Sequence, residues 1–422
     1  MDINKLLKGL DCACGKHHTC DIQYVYIEPN AIQRLSGICC NCREILIVAD
    51  ENTFGAAGKA ALDALAGKQV RKVIFSGKEL LVPNEAAIET VRANLGNADM
   101  LVGIGSGVIQ DLCKYISFYD HLPYSIVATA PSMDGYASSG AAMITDGMKV
   151  TYAVGLPVAI IADTTVLANA PMDMIKAGYG DIIGKFSALN DWKLSHLIHG
   201  EYFCQYIYDR TYDQIMQTLD LAHGLLKRDP DSIQALMEAL VVIGILISFA
   251  GSSRPASGSE HHLSHFFEIT GLLTNAPYFS HGIDVAYSTV ITARLREAIL
   301  KRSFPDRIYR PEQSAYLQKM QALYKTSANG CVALQEEMGR YRSATIHMYL
   351  SKEDEIRAIL AEMPTGDEIA QMLSLAELDM GEFYALYGKE KVTDAVLYAK
   401  DLKDRYTVLW LYYDLFGDHA GV

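Results

Sequence analysis

Met100–Asp111 reads MLVGIGSGVIQD. An apolar run leads into three alternating glycines, and a helical pattern, VIQDLCKYISFYD (108–120), follows directly. A strand that turns sharply on glycine into a helix lets backbone N–H groups face an anion, with the helix N-terminus adding positive potential. The spacing is not the usual G-x-G-x-x-G, and glycines 103, 105 and 107 also fit plain strand–helix packing.

The pattern repeats outward from this turn. REILIVAD (43–50), QVRKVIFSG (69–77), YSIVATAPS (124–132) and VAIIADT (158–164) read as strands, while NTFGAAGKAALDALAG (52–67) and NEAAIETVRANLG (84–96) read as helices. Strands alternating with helices predict a parallel, doubly wound, Rossmann-like sheet, with ligands at the carboxyl ends of its strands. Beyond residue 170 nearly every segment has helical spacing. The predicted organisation is therefore a Cys-rich N-terminal extension (1–42), a dinucleotide-binding α/β domain (43–170) and an all-α C-terminal domain (171–422).

Half of the 422 residues are hydrophobic and 21% are charged, which suits a globular chain with ample core. A net charge of -13 argues against nucleic acid as a partner, since phosphate backbones need basic patches. A small phosphorylated molecule needs only a few local donors. The longest apolar run, ALVVIGILISFA (239–250), is shorter than the roughly 18 residues of a membrane span and predicts a buried helix. With no signal-like N-terminus, a cytoplasmic protein is expected.

Six of the nine cysteines crowd the start of the chain: Cys12, Cys14, Cys20, Cys39, Cys40 and Cys42, with His17 and His18 among them. In a reducing compartment such a cluster favours a structural metal over disulfides. The C-x-C…C…CC-x-C spacing matches no strong zinc motif, and free thiols on a short extension are the alternative. Cys113, Cys204 and Cys331 read as separate thiols.

Candidate chemistry lies in both halves. His261 and His265, in RPASGSEHHLSHFFE (254–268), share one face of a predicted helix, and His281 follows in SHG (280–282). Asp181 stands upstream in AGYGDIIGK, near a predicted helix start, where a capping role is the plain alternative. One carboxylate and two imidazoles make a metal site with positions open for substrate. Beside a nucleotide turn, that suggests redox chemistry on a small oxygenated molecule. Asp50 ends the first strand, where a carboxylate can hold an adenosine ribose or simply shape a turn. In TAPSMDGYASSGA (129–141), Thr129, Ser132 and Ser138 can line a cofactor and Asp134 can meet a substrate hydroxyl; a polar loop is the alternative.

Taken in order, GIGSGVIQD, TAPSMDGYASSGA, AGYGDIIGKFSALNDWKL and RPASGSEHHLSH…SHG resemble the sn-glycerol-1-phosphate dehydrogenase family. That family sits with the iron-containing alcohol dehydrogenases, glycerol dehydrogenase and 3-dehydroquinate synthase, and implies a dehydroquinate synthase-like fold. The resemblance covers roughly residues 43–300. It implies that Asp181, His261 and His281 ligate a divalent metal (zinc, nickel or iron), with His265 and Asp181 beside the substrate. It also implies substrate contact from Asp134, and NAD or NADP contacts from Gly107, Val108, Ile109, Gln110, Asp111, Thr129, Ser132 and Ser138, with Asp50 on the ribose. The adjacent His262 makes the ligand ambiguous by one position; His261 keeps the four-residue step to His265. The cysteine-rich head is outside the family pattern.

The implied reaction is reversible hydride transfer between nicotinamide and dihydroxyacetone phosphate, with His265 relaying the proton and Lys185 and Arg254 as candidates for the phosphate. A polyol dehydrogenase, a dehydroquinate-synthase-like cyclase using NAD transiently, and a metal- or redox-sensing protein built on the cysteine head are the competing expectations. A homo-oligomer, taken as a dimer, is also expected.

Overall fold

Six parallel strands form the central sheet of a computed structural model that describes residues 2–145 and 148–417. They are β1 (Tyr24–Glu28), β2 (Glu44–Asp50), β3 (Gln69–Phe75), β4 (Met100–Gly105), β5 (Tyr124–Ala128) and β6 (Ala159–Asp163). Their order across the sheet is β1-β6-β5-β4-β2-β3. The chain winds outward from β2 to β3, returns to the other side of β2 with β4, and continues through β5 and β6. The direction of winding thus reverses between β2 and β4, which pair from Ile45↔Met100 to Ala49↔Ile104. A crevice at the carboxyl ends of such a strand pair is where doubly wound sheets bind ligands.

The α/β pattern, with a helical remainder, is as expected. Strands β2, β4, β5 and β6 are buried almost throughout, as parallel strands covered on both faces must be. Helix α1 (Glu51–Ala64) follows β2, and α2 (Gly107–Tyr119) follows β4. A hairpin of Gly140–Thr145 and Met148–Ala153 lies between β5 and β6.

The chain divides into two compact units. The first comprises residues 1–182 and 216–253, the second residues 183–215 and 254–422. The expected cut at residue 42 falls inside the first unit. β1 is a sheet strand, paired with β6 from Tyr24↔Ala159 to Glu28↔Asp163. Ala31, Ile32, Leu35, Cys39 and Cys42 pack into the same core as Ile45, Ile47 and Ile161. These apolar side chains cover a face that the sheet would otherwise expose.

The segment 216–253 joins the first unit through α5 (Pro230–Ala250). This helix is long and apolar enough to cross a membrane by length and composition, with 78% of its most apolar window buried within the protein. Burial of Ile233, Leu236, Leu240, Ile243 and Ile247 makes it a core helix. The remaining helices that matter are α3 (Met172–Ile183), α4 (Lys185–His199), α6 (Ser259–Thr274) and α7 (His281–Leu300).

Candidate active site

In the first unit, the glycine turn lies at the carboxyl end of β4, beside the point where the winding reverses. The three glycines serve different ends. A Cβ on Gly103 would meet Ile126 Cδ1 at 2.9 Å and Cys113 Sγ at 3.0 Å, and one on Gly105 would meet Ile109 Cβ at 2.6 Å. These two are packing glycines. Gly107 opens α2, and a Cβ there would find only Met133, at 3.7 Å, so this is where the backbone stays approachable. Ser106 Oγ accepts from Gly107 N (2.6 Å) and pairs with Ser132 Oγ (2.9 Å), joining the turn to the loop after β5. Thr129 N donates to Gly105 O at 3.1 Å, closing the same join.

Several sequence candidates also make contacts within the protein. Gln110 is buried, its Nε2 donating to Tyr136 O (3.0 Å) and Tyr124 OH (3.3 Å). Ile109 packs on Gly105. Asp111 Oδ2 accepts from Ala142 N (3.2 Å). Ser138 Oγ accepts from Lys114 Nζ (3.2 Å). Asp50 caps α1, Oδ1 accepting from Asn52 N and Thr53 N at 2.8 and 2.9 Å, with Thr53 completing a capping box. Lys114 itself, which sequence reasoning missed, is fully buried and also donates to Gly135 O (2.6 Å) and Gly140 O (2.9 Å). Burial pushes its pKa down. It clamps the turn Asp134–Ala137 and the start of the hairpin to α2.

Asp181 is buried in the last turn of α3, not at a helix start, so the capping alternative fails. Its Oδ2 accepts from the backbone N–H of Asp134 at 2.9 Å. Two helix glycines allow the loop to come this close. A Cβ on Gly178 would sit 1.8 Å from Pro131 O, and one on Gly244 would sit 2.6 Å from Asp134 O.

In the second unit, the histidines converge. The ring centroids of His261 and His281 are 5.0 Å apart, those of His265 and His281 5.7 Å, and those of His261 and His265 6.2 Å. The four-residue step along α6 and the first position of α7 together build this triangle. His262 is not in it: its Nδ1 donates to Gly258 O at 2.8 Å and it is fully buried. His261 Nδ1 faces Glu260 Oε1 at 2.7 Å, and the same carboxylate oxygen accepts from Gly258 N at 2.7 Å. The carboxylate accepts, so Nδ1 carries the proton and Nε2 keeps its lone pair, the arrangement seen around metal-binding histidines.

Burial, then the charges of Lys185, Lys403 and Arg405, push the His261 pKa well below the usual imidazole value, and hold the ring neutral. Lys403 Nζ donates to Ser257 Oγ (3.3 Å) and Arg405 Nη1 to Ser257 O (3.1 Å), two residues before α6. Lys185 is fully buried at the start of α4. Nothing in the sequence singles out Lys403 or Arg405, which lie in the C-terminal stretch LKDRY. Arg254 is heavily engaged within the second unit. Its Nε donates to Glu201 Oε1 (2.6 Å), Nη1 to Tyr406 O (3.0 Å), and Nη2 to Ser195 Oγ (2.9 Å) and Glu201 Oε2. A guanidinium so occupied braces these elements together.

A second brace sets the helices that carry the histidines. Asp191 Oδ2 accepts from Ser259 N (2.6 Å) and so caps α6, while Oδ1 meets Arg296 Nη2 of α7 (2.8 Å). Both side chains are buried. Gly258 is needed here, because a Cβ would lie 2.7 Å from Asp191 Oδ2.

Comparison with known proteins gives the family. A family model for iron-containing alcohol dehydrogenases matches residues 26–171. A protein of Bacillus licheniformis named glycerol-1-phosphate dehydrogenase (NAD(P)+) is 30% identical, over 94% of this chain and 90% of its own. One of the same name from Halalkalibacterium halodurans is 33% identical, over 69% of this chain and 77% of its own. The chain belongs to the glycerol-1-phosphate dehydrogenase family. In fold, it is similar to an iron-containing alcohol dehydrogenase of Thermococcus thioreducens, at TM-score 0.59 and 14% identity over 94% of this chain and 98% of that one. Glycerol dehydrogenase of Schizosaccharomyces pombe gives a TM-score of 0.53 at 18% identity, over 87% and 92%. The family model starts within β1, in keeping with that strand's place in the sheet of a glycerol-1-phosphate dehydrogenase.

Proposed function

We propose that the protein is a metal-dependent, NAD(P)-linked dehydrogenase that interconverts dihydroxyacetone phosphate and sn-glycerol 1-phosphate. The observation that carries this reading is the histidine triangle of a glycerol-1-phosphate dehydrogenase relative. One of its rings, His261, is held neutral by burial and aimed by a buried carboxylate.

Asp181, His261 and His281 are a donor set that suits one divalent cation, each offering a single ligand atom. Zinc, nickel and iron all accept such a set. When bound, the cation supplies Lewis-acid stabilisation of the negative charge that builds on the carbonyl oxygen. NAD(P)H supplies the hydride. The turn at Gly107, with Thr129 and Ser132, receives the dinucleotide at the carboxyl end of β4, and Asp50, at the end of β2, flanks its ribose through whichever carboxylate oxygen the cap leaves available. His265 delivers the proton to the reduced oxygen and takes it back in the reverse direction. Asp134 orients a substrate hydroxyl. Lys185, joined by Lys403 and Arg405, faces the phosphate, three cations matching a dianion.

The deciding experiment measures metal content alongside nicotinamide oxidation with dihydroxyacetone phosphate, with NADH and NADPH each supplied. Turnover with the phosphorylated ketone and little with dihydroxyacetone supports the reading. Equal turnover of both makes it a polyol dehydrogenase, and the absence of net nicotinamide oxidation with either refutes a dehydrogenase. We also propose a soluble, cytoplasmic homodimer, which light scattering of the purified protein tests.

A further inference from the structure

The N-terminal hairpin gathers two thiols and an imidazole in a way packing alone does not require. Leu10–Asp11 and His17–His18 pair antiparallel. Between them, Cys12 N donates to Lys16 O (3.0 Å) and Gly15 N to Cys12 O (2.9 Å), with Gly15 at φ +87° closing the turn. Cys14 Sγ stands 3.5 Å from His18 Nε2. His18 is buried, stacks on the Phe249 ring, and has its Nδ1 2.9 Å from Phe249 O. A carbonyl only accepts, so Nδ1 carries the proton and Nε2 turns its lone pair toward the thiols. That is how a backbone carbonyl sets a histidine for metal ligation.

The other cysteines are of a different kind. Burial pushes the Cys20 thiol up to about 11 and the Cys39, Cys113 and Cys331 thiols up to about 12. Cys39 and Cys42 are packed in the core against the sheet. These are neutral packing groups. Cys204 is buried too, but it directly precedes the helix Gln205–Leu219, and its carbonyl accepts from Tyr208 N. A helix N-terminus favours a thiolate.

We propose that Cys12, Cys14, His18 and Cys204 bind one zinc ion as a Cys3His site. Three thiolates and one imidazole are the soft, four-donor set of a closed structural zinc centre, with no position left for substrate. Each thiol gives up its proton on binding. The ion holds the N-terminal hairpin in shape, independent of the catalytic cation. Of the six clustered cysteines, only two belong to this set, and the fourth ligand is one the sequence offers as an isolated thiol.

The test is zinc analysis of the purified full-length chain after dialysis against a mild chelator, for His261→Ala alone and for His261→Ala combined with Cys14→Ser, Cys204→Ser or Cys20→Ser. Zinc retained in His261→Ala and in its combination with Cys20→Ser, but lost from its combinations with Cys14→Ser and Cys204→Ser, is the expected result. Zinc kept by either of the last two overturns the assignment. If those variants do not fold, alkylation of the native wild type replaces them. Cys12 and Cys14 are then protected until a strong chelator is added, and equal labelling with and without chelator overturns the site.

Discussion

The backbone N–H of Asp134 donates to Asp181 Oδ2 at 2.9 Å. The loop after β5 is thereby fixed to the carboxylate proposed to hold metal, through a main-chain group that no side-chain change removes. Asp134→Ala is expected to keep its metal and its nucleotide affinity while losing about 10–100-fold in kcat/KM, the worth of one hydrogen bond to a charged group. Metal analysis, nucleotide titration and steady-state kinetics on the same preparation check this. A matching loss of nucleotide affinity would remove Asp134 from the substrate.

Glu260 has no place in the resemblance, yet it sets His261. With its carboxylate gone, the ring loses the partner that fixes its tautomer. Glu260→Ala is expected to weaken catalytic-metal affinity by about 10–100-fold while leaving zinc at the N-terminal hairpin untouched. Competition with a chelating dye measures it; an unchanged affinity would reduce Glu260 to a packing residue.

The three cations near His261 are separable from Arg254. Lys185→Met, Lys403→Met and Arg405→Met are each expected to raise KM for dihydroxyacetone phosphate while KM for nicotinamide nucleotide holds. Arg254→Met is expected to lower the melting temperature, because Glu201, Ser195 and Tyr406 O lose their donor, with KM preserved below the transition. The reverse pattern, a KM effect from Arg254 alone, would restore it as the phosphate ligand.

Asp414 carries a pH signature. Burial raises its pKa to about 6, against the pull of Tyr349 OH at 2.5 Å and of Arg310. From the ordinary carboxylate value near 4 up to about 6, the folded chain holds a proton that the unfolded chain has released, so this group's contribution to stability falls as pH rises through that window and is level above it. The difference is about 3 kcal/mol. Asp414→Asn does not titrate, so relative to wild type it should gain about that much between roughly pH 4 and pH 7. Urea unfolding at both ends reads this, and a constant difference would mean an ordinary pKa.

The sheet and its glycine turn were legible because parallel strands are buried on both faces and spell continuous apolar runs, as EILIVAD (44–50) and AIIAD (159–163) do. β1 was hidden among cysteines that drew the eye to metal, and YVYIE (24–28) is half-exposed at the sheet edge, which blurs the signal. The four-residue step on α6 marked His261 and His265, but nothing local could say that His262 turns to Gly258 O. Lys114, Lys403, Arg405 and Cys204 stayed invisible for one reason: each has meaning only through partners brought to it by tertiary folding.

Gly178 offers no side chain, yet even a methyl group there would collide with Pro131 O. A saturation screen scored on turnover would rank it beside the histidines as indispensable. The distinction would surface only in a parallel screen for abundance, where clearance residues fail and reactive ones pass.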